Sequence, residues 1–378
     1  MEAEPQEVRV LGVDRAKYYR SQYPYYKQPT EIGHFSQDDQ RTVFMDRREA
    51  RRCRLPQANE CREVNWDLNN GFEEFQWRDE EKVGKEGINP ILDWIMAEGK
   101  VLDRFKKDDT PPAKASALNT NFVMFRGMMT RILTAPYETK FSTPWRLSVC
   151  RFQNTIYLCD DKDFGTGRMH ERTVDHEKMT YWGYSFESFL TSHIDPEVEK
   201  KSRPNNAAGF ATVVRAQLAS YTLLMAAEVD GELEGSHESP PSNYVELKTN
   251  RRFADARQEQ SFHRHKLMRT WAQCYSVGVP TIVFGLRDDD GIVRSLRTYK
   301  TMEVHGICER FWKASVCLNF ACDFFAWLDK HIAEADPLKV MYKVTFDAPF
   351  SGMTLERVDI TEDKQAFLSR AFVESMAK

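Results

Sequence analysis

Apolar and polar residues alternate in two rhythms along this chain, and the changes of rhythm mark its elements. Ile88 to Leu102 carries apolar side chains at helical spacing and opens near Asn89-Pro90, a helix start where proline loses no bonded amide. Arg146 to Cys159 alternates at a period of two, which predicts two strands joined at Gln153-Asn154. Tyr181 to Leu190 reads as a short helix. Asn206 to Met225 reads as a longer helix that feeds directly into a strand at Glu228. Ser261 to Ser276 reads as one amphipathic helix, with Phe262, Leu267, Met268, Trp271 and Tyr275 on its apolar stripe and His263, Arg264, His265, Lys266 and Arg269 on its basic face. Thr281 to Gly285 and Arg294 to Lys300 read as strands around the turn residues Asp288-Asp289-Asp290-Gly291. The last helix is Val316 to Ile332, whose Phe320, Phe324 and Trp327 are core residues rather than a platform for stacked bases.

These elements give a mixed α/β chain with no internal repeat and no low-complexity linker. The expectation is one catalytic domain over 1–378, with a loop-rich polar part at 1–85 packed on it. The composition fits: 378 residues, 41% hydrophobic, 12% aromatic and 29% charged suffice for one large core. The eight cysteines, Cys61 among them, show no C-x-x-C and no short framework, so reduced thiols of a nuclear or cytosolic protein are expected, without structural zinc. No signal peptide opens the chain. Its most apolar stretch, Leu218 to Val229, is too short for a bilayer, so no membrane partner is expected. The net charge of −4 does not exclude RNA, because local field decides and the basic residues cluster. Arg47, Arg48, Arg51, Arg52 and Arg54 form one such group, readable as an import signal or as part of the fold.

The chemistry lies in Glu228-Val229-Asp230 and Val245-Glu246-Leu247-Lys248-Thr249. On extended backbone Glu228 and Asp230 share a face across Val229, and Glu246 and Lys248 share a face across Leu247. Gly231 to Asn243, with two glycines and Pro240-Pro241, must turn, and can return the second strand beside the first. Three carboxylates gathered together repel unless a cation offsets them, and hard oxygens at this spacing suit Mg²⁺ or Mn²⁺. A lysine beside such ions can orient water or offset charge on a phosphorus centre. Either tripeptide alone is common on solvated strands. Other chemistries lack their motifs: there is no Walker loop, no H-E-x-x-H and no G-x-S-x-G, and Asp163-Phe164-Gly165 stands without the other kinase signatures.

Phe125-Arg126-Gly127, Gly183-Tyr184-Ser185-Phe186-Glu187, Glu228-Val229-Asp230 and Glu246-Leu247-Lys248 occur in the order of the four motifs of the DXO decapping and exoribonuclease family, which the chain resembles. The likeness extends through Tyr23-Pro24-Tyr25-Tyr26, His34-Phe35-Ser36, Arg78-Asp79-Glu80-Glu81, Thr134-Ala135-Pro136-Tyr137-Glu138, Arg264-His265-Lys266-Leu267, Trp271-Ala272-Gln273 and Ser315-Val316-Cys317. The resemblance implies two twisted mixed β-sheets flanked by helices, with a PD-(D/E)xK-like core related to lambda exonuclease. It implies two divalent ions, Mg with Mn able to substitute, held by Glu187, Glu228, Asp230, Glu246 and the Leu247 carbonyl. Lys248 and Gln273 would face the scissile phosphate beside the catalytic acids Glu228 and Asp230. Arg126 would hold an RNA phosphate, with Phe125 and Gly127 close by, and Arg41 and Glu86 align with further substrate-contacting positions.

The implied substrates are single-stranded RNA 5′ ends: triphosphate ends releasing pyrophosphate, unmethylated caps releasing the cap dinucleotide, NAD caps, and monophosphate RNA degraded 5′ to 3′. The expected place is the nucleus, with the cytoplasm as a second. Two positions depart from the vertebrate pattern, Phe125 where tryptophan is usual and Ala211 where cysteine is. Neither removes a charge, so they bear on substrate preference rather than on hydrolysis. Two other classes remain open at this point: a binding partner that stabilises an XRN-class nuclear exoribonuclease, and a DNA-directed nuclease of the same superfamily. The intact motif acids weigh against the first, and Arg126 with the extended likeness against the second.

Overall fold

Leu218 to Val229 is apolar at nearly every position because most of it runs as a strand with neighbours on both edges, where both faces are buried. It belongs to a computed structural model that describes residues 8–56, 63–79, 86–106, 116–161, 164, 174–201, 205–361 and 366–377. Cys61, Glu80, Glu81, Asp163 and Gly165 lie outside the described residues.

Two mixed β-sheets flanked by helices form the architecture. The larger sheet orders ten strands as β1 (Arg9–Gly12), β17 (Gly352–Asp359), β16 (Val340–Phe346), β7 (Trp145–Phe152), β8 (Thr155–Asp160), β6 (Phe122–Phe125), β11 (Tyr221–Glu228), β10 (Gly209–Leu218), β2 (Tyr26–Gln37) and β3 (Val43–Phe44). The smaller orders seven as β5 (Trp66–Asp67), β15 (Ile292–Lys300), β14 (Thr281–Arg287), β13 (Tyr244–Arg251), β12 (Gly231–Leu233), β4 (Arg51–Cys53) and β9 (Thr191–His193). Parallel pairs β6–β11 and β6–β8 sit inside the larger sheet, and β13–β14 and β4–β12 inside the smaller.

Among the described residues the helices are α1 (Asn89–Glu98), α2 (Arg126–Thr134), α3 (Val174–Leu190), α4 (Pro196–Lys201), α5 (Ala256–Arg264), α6 (Lys266–Val277), α7 (Thr301–Ile307), α8 (Ala314–His331) and α9 (Arg370–Met376). None is long and apolar enough to cross a membrane. One buried cluster joins α2, α6 and α8 to both sheets, through Ile132, Trp271, Phe320 and Phe324 with Met225 of β11 and Phe284 of β14. A second packs α1 on the larger sheet, and a third packs Phe186 of α3 on Val245 and Leu247 of β13.

Several expectations hold: the Asn89-Pro90 helix start, the β7–β8 hairpin with Gln153 and Asn154 both at positive φ, and the β14–β15 hairpin. Others need correction. Asn206 to Met225 is not a helix but the hairpin β10–β11, in register Leu218↔Tyr221 across a turn whose Ala219 has φ 51°. Its apolar run is compatible with either period, and the β-branched Thr212-Val213-Val214 with burial on both faces decides for the strand. The Glu246 strand does not return beside the Glu228 strand: β11 lies in the larger sheet, and β13 pairs instead with β12, Gly231↔Val245. The chain crosses between sheets at Val229-Asp230. Ser261 to Ser276 is two helices broken at His265, Glu187 sits on a 17-residue helix rather than a short one, and α9 follows the helix expected to be last. The loop-rich part at 1–85 supplies β1 to β5 and so joins both sheets.

Candidate active site

Parallel pairing of β6 with β11, Phe125↔Ala226, brings two chain exits together: Arg126 opens α2 just beyond β6, and Glu228 closes β11. Two residues further on, Asp230 leads into β12, whose antiparallel register with β13, Gly231↔Val245, carries Asp230 toward Glu246 and Leu247. The Leu247 amide donates to Asp230 Oδ2 at 2.7 Å. Along β13 the period of two sends Val245 and Leu247 into the core under α3 and leaves Glu246 and Lys248 on the opposite face.

On that face the charges interlock. Lys248 Nζ lies 2.7 Å from Glu246 Oε1, 3.4 Å from Asp230 Oδ2, and donates to the Leu247 carbonyl at 3.0 Å. Arg126 Nη1 lies 3.3 Å from the other oxygen of Glu246, which is only 2% exposed. Burial acts to raise the Glu246 carboxyl, but Lys248 and Arg126 outweigh it and hold the group below its ordinary value. Asp230 is pushed up to about 6, by burial first, against the pull of Lys248. Burial likewise pushes Glu187 well above the carboxylate range, with Asp230 adding to it. Burial works to lower the Lys248 ammonium, yet Asp230, Glu246 and Glu187 outweigh it and raise it.

Two cavities meet at Glu228. One of about 420 Å³ is lined by Glu187, Glu228 and Asp230, with Arg51, His193 and Tyr181 among its other walls. The second, of about 250 Å³, is lined by Arg41, Arg78, Glu86, Phe125, Ala211 and Glu228. Tyr184, Gly209 and Phe210 line both, and burial followed by the charge of Glu228 pushes the Tyr184 phenol up to about 12.

The structure therefore brings Glu187, Glu228, Asp230 and Glu246 together with Lys248 and Arg126. Arg41 and Glu86 form a salt bridge at 2.8 Å in the wall of the second cavity, and Arg41 also donates to the Ala207 carbonyl at 2.6 Å. A Cβ built on Gly127 would meet nothing within 4 Å, so the first turn of α2 faces open space beside Arg126. Gln273 lies on α6, one residue from Cys274, whose thiol is pushed up by burial and then by Glu246. The Gln273 amide makes no hydrogen bond among the described residues. The sequence did not mark Gly209 or Tyr184 individually as lining residues, and it marked Arg51 only as one of the basic group at 47–54. Tyr184 lies inside a quoted motif, and Gly209 carries no chemical signal of its own.

The donor set fits hard divalent ions: carboxylates and one backbone carbonyl, short of positive charge where Glu187 and Asp230 are pushed up. Among the described residues no three His, Cys, Asp or Glu side chains are already gathered at metal-holding distances. The Lys248 ammonium bridges Asp230 and Glu246 instead.

The sequence profile of the RAI1-like PD-(D/E)XK nucleases matches residues 27–373. The chain belongs to that family. It is 32% identical over 372 residues to the human decapping and exoribonuclease protein, covering 95% of this chain and 88% of that one. It is 30% identical over 333 residues to the decapping nuclease RAI1 of Aspergillus fumigatus, covering 83% and 85%. Solved structures share the fold: Scheffersomyces stipitis Rai1 in complex with (3′-NADP)⁺ and calcium ion at TM-score 0.80 and 22% identity, covering 100% of this chain and 99% of that one. Candida albicans Rai1 in complex with pU5-Mn²⁺ follows at TM-score 0.78 and 22% identity, covering 98% and 99%. The expected fold class and the expected nuclease family are thus both met, and the chain is a hydrolase of the decapping nuclease type.

Proposed function

We propose that this RAI1-like nuclease removes incomplete or non-canonical 5′ ends from RNA, releasing pyrophosphate from triphosphate ends, the cap dinucleotide from unmethylated caps and NAD from NAD caps. Degradation of 5′-monophosphate RNA belongs to the same reading, and the nucleus is its expected place. The observation that carries it is the position of Glu228, at the meeting of two cavities and beside the other motif acids. A polynucleotide threaded from one cavity to the other brings a phosphate linkage to these carboxylates, with a portion of substrate on each side. The relatives' names and the ligands in the Rai1 complexes support the choice of RNA ends as substrates.

Glu187, Glu228, Asp230, Glu246 and the Leu247 carbonyl would hold two divalent ions, Mg with Mn as substitute. Ions there supply activation of water and offset charge on the phosphate. The chain's own groups supply the rest. Arg126, now on Glu246, offers a forked, permanently charged donor set to a phosphate, and the uncapped first turn of α2 adds backbone N–H donors beside it. Lys248 orients the nucleophile or offsets charge developing on the phosphate, and Gln273 adds an amide donor from α6. Arg41 and Glu86 contact the substrate from the smaller cavity. Phe125 and Ala211 line that cavity too, so the two departures from the vertebrate pattern fall where they alter how the end is held.

The test is one RNA prepared with triphosphate, unmethylated-cap, methylated-cap, NAD-cap and monophosphate ends, given to the protein and to Glu228→Ala in Mg²⁺ and in Mn²⁺. Release of pyrophosphate, cap dinucleotide or NAD by the unaltered protein alone supports the reading and ranks its targets. No release from any end overturns it and directs attention to binding of an XRN-class exoribonuclease.

A further inference from the structure

We propose that Arg51 is a second phosphate-binding residue of the site, facing Arg126 across the acid cluster and taking the RNA phosphate adjoining the one that is cut. The inference rests on the nuclease reading above and extends it.

Arg51 belongs to the basic group at 47–54, and the structure separates its members. Arg47 pairs with Glu232, Arg48 with Asp46 at 2.7 Å, and Arg54 with Glu234 at 2.7 Å, so each of these charges is met by a carboxylate. Arg52 is exposed. Arg51 differs from all of them. It lines the larger cavity together with Glu187, Glu228 and Asp230, and among the described residues it makes no ion pair. Its Nε donates to the Thr191 hydroxyl at 2.7 Å, which leaves the two terminal nitrogens of the fork without a protein acceptor among the described residues. A half-buried guanidinium with its terminal donors unused, in a cavity that already holds candidate metal ligands, is arranged for a phosphate rather than for a side chain.

The placement is held from several directions. Thr191 Oγ1 itself donates to the Glu187 carbonyl at 2.8 Å, so one hydroxyl ties Arg51 to the helix end that carries Glu187. Arg51 and Glu187 line the same cavity, which sets the guanidinium within reach of the acid cluster. In the β4–β9 pair Arg51 stands opposite His193, whose Nδ1 meets Glu199 at 2.8 Å and whose Nε2 meets Glu49 at 3.3 Å. The strand under Arg51 is thereby pinned, and the guanidinium needs little ordering when substrate arrives. Arg126 approaches the acids from α2 and the larger sheet, while Arg51 approaches from the smaller sheet. A backbone with one phosphate at the acids thus meets a cation on either side.

The test uses a 5′-monophosphorylated pentauridylate, and the same RNA with a neutral methylphosphonate at each linkage in turn. Binding is followed by fluorescence anisotropy in Ca²⁺ for the unaltered protein, Arg51→Gln and Arg51→Lys. One charge-assisted contact predicts roughly a tenfold or greater loss when the adjoining linkage is neutralised in the unaltered protein. Arg51→Gln should show a similar loss on the charged RNA and no further loss on the neutralised one, with Arg51→Lys between them. Mn²⁺ affinity, read by water-proton relaxation, should stay within a few-fold. Indifference of the unaltered protein to neutralisation at every linkage except the scissile one overturns the proposal without any variant having to fold. Equal losses on charged and neutral RNA, accompanied by loss of Mn²⁺ affinity, also overturn it and make Arg51 a support for Glu187. If the unaltered protein binds none of these RNAs, the nuclease reading fails first.

Discussion

Asp230 is fixed by the backbone of Leu247: the amide donates to Oδ2 at 2.7 Å, across the seam where β12 meets β13. The bond sets the carboxylate beside Glu246 and Lys248. Asp230→Asn keeps an oxygen for that amide and removes the charge. We expect turnover to fall by about 10²- to 10³-fold, the scale of losing one electrostatic stabiliser in an active site. The metal-free fold should be as stable as before or more so, because burial and neighbouring acids already disfavour the charge. Product release and thermal melting in EDTA check the two halves, and an active variant refutes the assignment.

Gly209 sits at the start of β10, and a Cβ built on it would lie 3.2 Å from Glu228 Oε1. Its backbone is ordinary strand, so Gly209→Ala tests the space and nothing else. The added methyl group must displace the Glu228 carboxylate by a few tenths of an ångström. A displacement of that kind at a reacting centre should cost roughly tenfold in kcat, below the 10² expected of a full ångström, with the melting temperature little changed. Unchanged kcat would mean that Glu228 does not need this position.

Legibility in the sequence followed the range of the physics involved. Glu246 and Lys248 could be placed together because period two is local, and the Asn89-Pro90 start and the Gln153-Asn154 turn are equally local signals. The β10–β11 hairpin escaped because Asn206 to Met225 is apolar in both rhythms, and only its burial between β6 and β2 distinguishes them. The placing of Glu228 and Glu246 in different sheets escaped for another reason. Both versions of the turn bring the acids together, and the choice depends on β12 finding β4, more than 170 residues earlier in the chain. Glu187 was legible only through the family motif, since nothing in the spacing of α3 marks one glutamate from another. Arg51 was visible as a charge in a cluster, but that it makes no ion pair among the described residues is a tertiary fact.

Tyr244 and Glu31 join the two sheets. The phenol of Tyr244, on β13, donates to Glu31 Oε2 at 2.5 Å, and the same oxygen accepts from Thr212 Oγ1 at 2.6 Å on β10. Burial acts to raise the Glu31 carboxyl, but the hydrogen bonds from His34, Thr212 and Tyr244 outweigh it and lower the group. A carboxyl lowered on folding contributes stability that is present above its unfolded value and is lost as pH falls through the folded one. Tyr244→Phe should therefore destabilise the protein by about 2 kcal/mol at neutral pH, the scale of one bond to a charged acceptor. The deficit should shrink as pH drops below about 4, where Glu31 protonates in the unfolded chain and then in the fold. Urea unfolding at pH 7 and pH 3.5 measures it, and a pH-independent deficit would show that the bond does not depend on the charge.

Lys248 holds the remaining tension in the site. Without divalent ions its ammonium is the nearest positive charge to both Glu246 and Asp230, with Arg126 reaching only Glu246. Removing one partner of a buried charge network leaves the others uncompensated, at a cost of about 3–5 kcal/mol. Lys248→Met should accordingly melt well below the unaltered protein in EDTA. Added Mg²⁺ supplies the missing positive charge, so it should raise the melting temperature of Lys248→Met by more than it raises that of the unaltered protein. Turnover should stay low, about 10²-fold down or more, because the ion replaces the charge and not the lysine's place beside the phosphate. Equal metal-induced shifts in the two proteins would separate Lys248 from the ion site, while recovery of both stability and turnover would leave the lysine with a purely structural part.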